Sequence, residues 1–203
     1  MTLARLFRKC LHAPYVTSSN SADLYVEKQG STLYFYFQGS DGAEDWLNNL
    51  DIPVKALQMA DGEYLFAHRG FVRVFGALLP RIREAASDSS VRSVFVVGFS
   101  HGAALAVLCH GYLWQTVSPL RGHLTGYGFG CPRVLWGRIP HKEIWESFTV
   151  VRNLNDVVTH VPPAFLGYRH VGKLLEIGEK GKYSPVDAHR PENILRELII
   201  YGR

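Results

Sequence analysis

Cysteine is scarce in this chain of 203 residues: Cys10, Cys109 and Cys131 are all there is. An unpaired trio cannot build a disulfide framework, and its spacing matches no zinc signature, so a stapled scaffold and a zinc module are both excluded. Cys109 sits in an apolar stretch and reads as a small core residue. All three read as reduced thiols in a reducing compartment. Long apolar runs are missing as well, and none approaches the ~20 residues a membrane-spanning helix needs. The N-terminal stretch carries Arg5, Arg8 and Lys9 but lacks the continuous apolar segment of a secretory signal. The expectation is a cytoplasmic chain. Charge is modest, at 20% of residues with a net charge of +4. Lys and Arg are scattered and form no recognisable module, which argues against a nucleic-acid partner. The mild positive balance suits an anionic surface without requiring one. There is no internal repeat and no low-complexity segment.

What is present is apolar residue content, 47% of the chain, enough for one domain over residues 1–203. Residues 1–20 form an N-terminal extension. Its Leu3, Leu6, Phe7 and Leu11 suit a helix that either packs on the domain or binds a surface, and packing is the more frequent use of such residues.

Along the chain, residues 24–27 read as a short edge strand and 32–37, TLYFYF, as a buried strand running into a loop. Residues 41–50 read as a short helix and 54–59 as another strand, followed by a turn at Asp61-Gly62. Residues 70–86 are helical by pattern, with Phe71, Val74, Phe75, Leu78, Leu79 and Ile82 on one side and Pro80 an awkward guest. Residues 91–97 are apolar throughout, as in a strand covered on both faces. An apolar helix over 103–114 follows, then strands over 124–129, 148–153 and 171–177, and a helix over 191–201 opening on Pro191. Alternating strands and helices predict an α/β layered fold, with functional groups gathered at the carboxyl edge of the sheet.

Between the strand 91–97 and the helix 103–114 stands Gly98-Phe99-Ser100-His101-Gly102. A Gly-x-Ser-x-Gly pattern is short, and context gives it meaning. Here a strand precedes it and a helix follows, so the turn is sharp and its flanks must be small. Ser100 is then lifted above the sheet at a helix N-terminus, where negative charge is favoured. The bland alternative is Ser100 as a helix cap beside convenient glycines, and the double context disfavours it.

A serine nucleophile needs a base, and the base needs an orienting acid, in the chain order Ser, acid, His for this kind of turn. Asp156 follows the strand 148–153 and so lies at a carboxyl end, whereas Glu143 and Glu146 lie at the wrong end of it. His189, just before the last helix, is the leading base, with His160 and His170 as competitors. The backbone N–H of His101 is placed to donate to an oxyanion, and Ser40, after the strand 32–37, is the second candidate donor.

These segments together resemble the class 3 lipases, the fungal-lipase-like branch of α/β hydrolases, over roughly residues 31–200. The likeness is carried by Phe37-Gln38-Gly39-Ser40 with Asp45-Trp46-Leu47, by His68-Arg69-Gly70-Phe71, and by residues 98–104. Phe129-Gly130-Cys131-Pro132-Arg133-Val134, Asn155-Asp156-Val157-Val158 with Val161-Pro162-Pro163, and Asp187-Ala188-His189 complete it. Two positions depart from the family pattern. Gln38 stands where an arginine is usual, and the family's His-Ser-Leu-Gly-Gly is here Phe99-Ser100-His101-Gly102-Ala103.

The resemblance implies an α/β-hydrolase fold with a mostly parallel central sheet flanked by helices. It selects His189 as base, with His170 on a different family segment as the fallback. It implies a serine carboxylic-ester hydrolase acting on lipid acyl esters through an acyl-enzyme, with a phospholipase or acyltransferase using the same triad, or a non-catalytic scaffold, as alternatives. It makes residues 41–50, with Trp46, Leu47 and Leu50, a lid; a fixed amphipathic helix is an equal reading of that segment. The implied partners are a lipid or other ester substrate and, transiently, a lipid interface. No metal or cofactor is implied.

Overall fold

Side chains that point alternately to two covered faces build the central layer of the protein, described here from a computed structural model that covers residues 2–15, 23–38, 53–59 and 61–202. In chain order the main elements are α1 (Leu3–His12), β1 (Leu24–Gln29), β2 (Thr32–Phe37), β3 (Val54–Gln58), β4 (Tyr64–His68) and α2 (Arg69–Ala86). They continue with β5 (Ser93–Phe99), α3 (His101–Thr116), β6 (Leu124–Phe129), β7 (Leu135–Trp136) and β8 (Phe148–Asn153). The last are β9 (Tyr168–Arg169), β10 (Lys173–Ile177) and α4 (Pro191–Tyr201). Short 3-10 turns fill several connections.

The main sheet has the order β1-β2-β5-β6-β8-β10. Strands β2, β5, β6, β8 and β10 run parallel, and β1 is an antiparallel edge. This is the mostly parallel sheet that the resemblance implies. Its two faces are both covered, which is why its central strands read as near-continuous apolar runs. On one face Phe35, Val94, Val96 and Val150 pack under α2 and α3. On the other, Tyr36, Val97, Phe99, Phe129 and Val151 pack under α1 and α4.

Helix α3 is buried on all sides from His101 to Gly111, as a helix apolar all round must be. The amphipathic α2 lies on it, burying Phe71, Val72, Phe75, Leu78 and Ile82 while Pro80 stays exposed. Helix α1 is capped by Thr2 and buries Leu6, Phe7 and Cys10 on the sheet. Its Phe7 ring meets Phe99 at 5.5 Å and Phe129 at 4.7 Å. The Lys9 ammonium donates to Glu27 on the edge strand. This face of α1 is therefore spent on packing.

Some elements shift from their sequence-based bounds. The elbow strand runs over Ser93–Phe99 rather than 91–97, and the last strand begins at Lys173 because Gly172 takes a left-handed conformation with φ of 75°. The larger difference is a second, antiparallel sheet of order β3-β4-β7-β9. Pattern reading finds β3 and the following turn but not its hairpin partner β4. Strands β7 and β9 span two residues each, too short for any periodicity to show. No helix among the described residues is long and apolar enough to cross a membrane.

Candidate active site

Strand β5 ends at Phe99 and α3 begins at His101, so Ser100 alone makes the turn. It does so with φ of 54° and ψ of −123°, a conformation rare for a residue with a side chain. The backbone N–H of Ser100 donates to the Phe129 carbonyl at 2.9 Å, tying the turn to the neighbouring strand. The two glycines are there because backbone comes too close for anything larger. A Cβ on Gly98 would run into the Gly102 carbonyl, and one on Gly102 into the carbonyls of Phe37 and Gln38.

Asp156 caps the 3-10 turn Val157–His160 that follows β8. Its Oδ1 accepts from the Val158 N–H at 2.9 Å and its Oδ2 from His189 Nδ1 at 2.9 Å. His189 closes the 3-10 turn Asp187–His189 ahead of α4, and its Nε2 lies 2.8 Å from Ser100 Oγ. A carboxylate can only accept, so Nδ1 carries the proton and Nε2 presents its lone pair to the serine hydroxyl. Ser100, His189 and Asp156, at 2%, 8% and 0% exposure, thus form one relay shielded from water.

His160 and His170 are not part of it. The His170 Nε2 donates to the Thr159 carbonyl at 2.8 Å. His110, inside α3, donates to the Ile144 carbonyl at 2.8 Å. The side chain of His101 turns from the hydroxyl onto Phe71, ring centroids 5.5 Å apart. Burial, and the nearby His68, push its pKa down to about 4, so the ring is neutral. The His101 N–H is the first of α3, where no earlier turn supplies a carbonyl to it. Ser40 and residues 41–50, with Trp46, Leu47 and Leu50, lie outside the described residues.

Three supporting residues carry no role in the sequence reading. Gly130 has φ of +54°, and a Cβ there would stand 2.8 Å from His189 Cε1 and 3.1 Å from Asp156 Oδ2. Asn153, at the end of β8, donates through Nδ2 to the Ala188 carbonyl at 2.9 Å and so anchors the histidine turn. Phe99 stacks on the His189 ring. The signal for Gly130 was in the quoted Phe129-Gly130-Cys131 segment; Asn153 and Phe99 show none until the fold is known. Cys131 lies beside this site, but burial, reinforced by the Asp156 carboxylate, pushes its thiol far above the ordinary range and keeps it protonated. Among the described residues, no three His, Cys, Asp or Glu side chains are gathered as a metal ion would need.

A family model described as Lipase (class 3) matches residues 34–166, well over half of the chain. The chain belongs to the class 3 lipase family. Its similarity to individual members is more distant. It is 28% identical over 149 residues to a lipase of Rhizomucor miehei, a stretch that covers 70% of this chain and 40% of that protein. The chain therefore spans about two fifths of that relative's length. Lipase II from Rhizopus niveus has a similar structure, with a TM-score of 0.68, 23% identity, and coverage of 85% of this chain and 67% of that one. A triacylglycerol lipase, described as having a catalytic centre formed by a serine protease triad, gives a TM-score of 0.63 at 25% identity, covering 80% of this chain and 64% of that one. Class 3 lipase membership accounts for the α/β-hydrolase fold.

Proposed function

We propose that this class 3 lipase is a serine hydrolase that cleaves carboxylic esters of lipids through an acyl-enzyme. The observation that carries this reading is the unbroken relay from Ser100 Oγ to His189 Nε2 and from His189 Nδ1 to Asp156 Oδ2. The description of a related triacylglycerol lipase as built on a serine protease triad supports it.

In the first step Ser100 Oγ attacks the ester carbonyl carbon while His189 Nε2 takes the hydroxyl proton. Asp156 holds the imidazole in the needed tautomer and stabilises its cation. The developing oxyanion is met by the His101 N–H at the start of α3, with Ser40 as the proposed second donor. Each such donor is worth about 3–4 kcal/mol in the transition state. His189 then protonates the departing alkoxide, leaving Ser100 acylated. Water attacks the acyl carbonyl with His189 as base, and the free acid leaves. A cytoplasmic, reducing setting remains part of the proposal; the three thiols are buried and unpaired, which supports it.

The test is labelling with a fluorophosphonate, which reacts rapidly only with an activated serine, followed by mapping of the adduct. An adduct on Ser100, together with turnover in a panel of triglyceride, phospholipid and short esters, is the expected result. Folded protein that neither labels nor turns over any ester would leave a non-catalytic scaffold as the better reading.

A further inference from the structure

A cavity of about 530 Å³ opens at the amino edge of the main sheet, the edge opposite Ser100. Ligand sites commonly occupy roughly 300–1,000 Å³. It forms where the chain leaves two neighbouring helices and drops into two neighbouring strands. Helix α2 ends at Ala86 and passes through Val91 and Arg92 into β5; α3 ends at Thr116 and passes through the 3-10 turn Ser118–His123 into β6. The seven residues of β5, roughly 23 Å of extended backbone, stand between Arg92 and Ser100. The floor is apolar: Val91 and Leu120 are buried there, and Ala86, Tyr112 and Val117 are half-buried. A second cavity of about 600 Å³ shares Val91, Arg92, Pro119 and Leu120 with the first and reaches His123, so the floor runs on as a groove.

Two guanidinium groups stand on the rim. Arg83 Nε donates to the Tyr112 hydroxyl at 2.8 Å, which leaves its two terminal nitrogens without a partner among the described residues. Arg92 spends Nη1 on the carbonyls of Ser89 and Val91, at 2.6 and 3.0 Å. Neither arginine is in an ion pair among the described residues. Asp88, the carboxylate in the lining, is already matched by the Lys28 ammonium at 2.6 Å and the Ser90 N–H at 2.9 Å. The carboxyl ends of helices ordinarily disfavour an anion. Here their last carbonyls are occupied: Ser87 Oγ donates to Glu84, Thr116 Oγ1 to Tyr112 and Arg121 Nε to Trp114, at 2.7, 2.8 and 2.8 Å. What is left for a ligand is positive charge above an apolar floor.

We propose that this cavity binds an amphiphilic carboxylate, with the head group on Arg83 and Arg92 and the alkyl chain along Val91, Val117 and Leu120. The terminal nitrogens of Arg83 offer the paired N–H groups that a planar carboxylate accepts bidentately. Asp88 close by makes a second negative charge on the ligand costly, which favours a monoanion over a phosphate monoester. The chain gains by leaving water for the floor. The site shares no residue with the Ser100 relay and is independent of the hydrolase reading.

The test uses Ser100→Ala protein, so that binding is read without turnover. It is titrated calorimetrically with octanoate and with 1-octanol, which share a chain and differ in charge, and the site is located from methyl NMR spectra. Octanoate is expected to bind more tightly than octanol and to shift the methyl signals of Val91, Val117 and Leu120. In that background the pair Arg83→Gln and Arg92→Gln is expected to lose about tenfold in octanoate affinity and none in octanol affinity. Val117→Trp, which fills the cavity, is expected to weaken both. With Ser100 intact, the arginine pair should hydrolyse p-nitrophenyl butyrate at the parent rate. Octanoate affinity that is unchanged in the arginine pair overturns the proposal. So does octanoate that binds no better than octanol, or that leaves those three methyl signals unmoved. Should Val117→Trp fail to fold, the arginine pair, both of whose side chains are on the surface, still decides the matter.

Discussion

The phenyl ring of Phe99 lies against the imidazole of His189, centroids 5.1 Å apart and planes 21° from parallel. Phe99 is in turn backed by Phe7 of α1 at 5.5 Å. The base is therefore held on its flat side by Phe99, which Phe7 of the N-terminal helix backs edge-on. Replacing Phe99 by leucine keeps most of the volume and should cost less than about 1.5 kcal/mol in stability. It should still lower kcat on a soluble ester by about 10- to 100-fold, because the imidazole loses its lateral stop. Phe7→Ala should move kcat in the same direction by a smaller factor. Thermal melts and steady-state kinetics on the same preparations check both, and an unchanged kcat in Phe99→Leu would show that the stack is mere packing.

Gly130 offers a second way to move the base. A methyl at its Cβ position would press on His189 Cε1 at 2.8 Å, and the backbone there has φ of +54°. Gly130→Ala should cost about 1–2 kcal/mol from the left-handed conformation alone. It should also cut kcat by about 100-fold through displacement of the ring. Fluorophosphonate labelling should slow in parallel. A variant that loses stability but labels at the parent rate would contradict the assigned role.

Asp156→Asn leaves the carbonyl oxygen and shape of the side chain but lets the histidine settle in the wrong tautomer. The expected loss in kcat is on the order of 10⁴-fold, the scale seen when other serine triads lose this charge. A crystal structure or circular dichroism should show the fold retained. Loss of less than about tenfold would mean that another group orients His189.

Acid stability is set in part by histidines that fold neutral. Burial pushes the His110 pKa from 6.5 down to about 4, despite its hydrogen bond to the Ile144 carbonyl. Between those values the unfolded chain binds more protons than the folded one, so stability rises with pH there and is lost as pH falls from 6.5 toward 4. His101 and His170, also held at about 4, act in the same sense. At pH 5 each should have lost about 2 kcal/mol relative to neutral pH. His110→Gln keeps a donor toward Ile144 and should flatten the change in urea midpoint between pH 7 and pH 5. An equally steep change in that variant would remove His110 from the account.

The elbow was legible in the sequence because two independent signals coincide there: a strand buried on both faces and glycines that backbone contact demands. Asp156 was legible from its place after a strand. His189 was not separable from His160 and His170 by local pattern, because only the fold shows that the Thr159 carbonyl already occupies the His170 ring. The family resemblance made that choice. Gly130 and Asn153 act on a histidine far along the chain, so no local periodicity betrays them. The second sheet was half visible: β3 and its turn could be read, whereas β7 and β9 are held by partners distant in sequence and have no pattern of their own.

Helix α3 has neighbours on every side from His101 to Gly111, and its first residue is the proposed oxyanion donor. So enclosed a rod has no room to tilt or fray at that end. The peptide dipole aimed at the reacting oxygen is thus set in direction when the chain folds, and it need not swing round, as water molecules must, each time an ester is attacked.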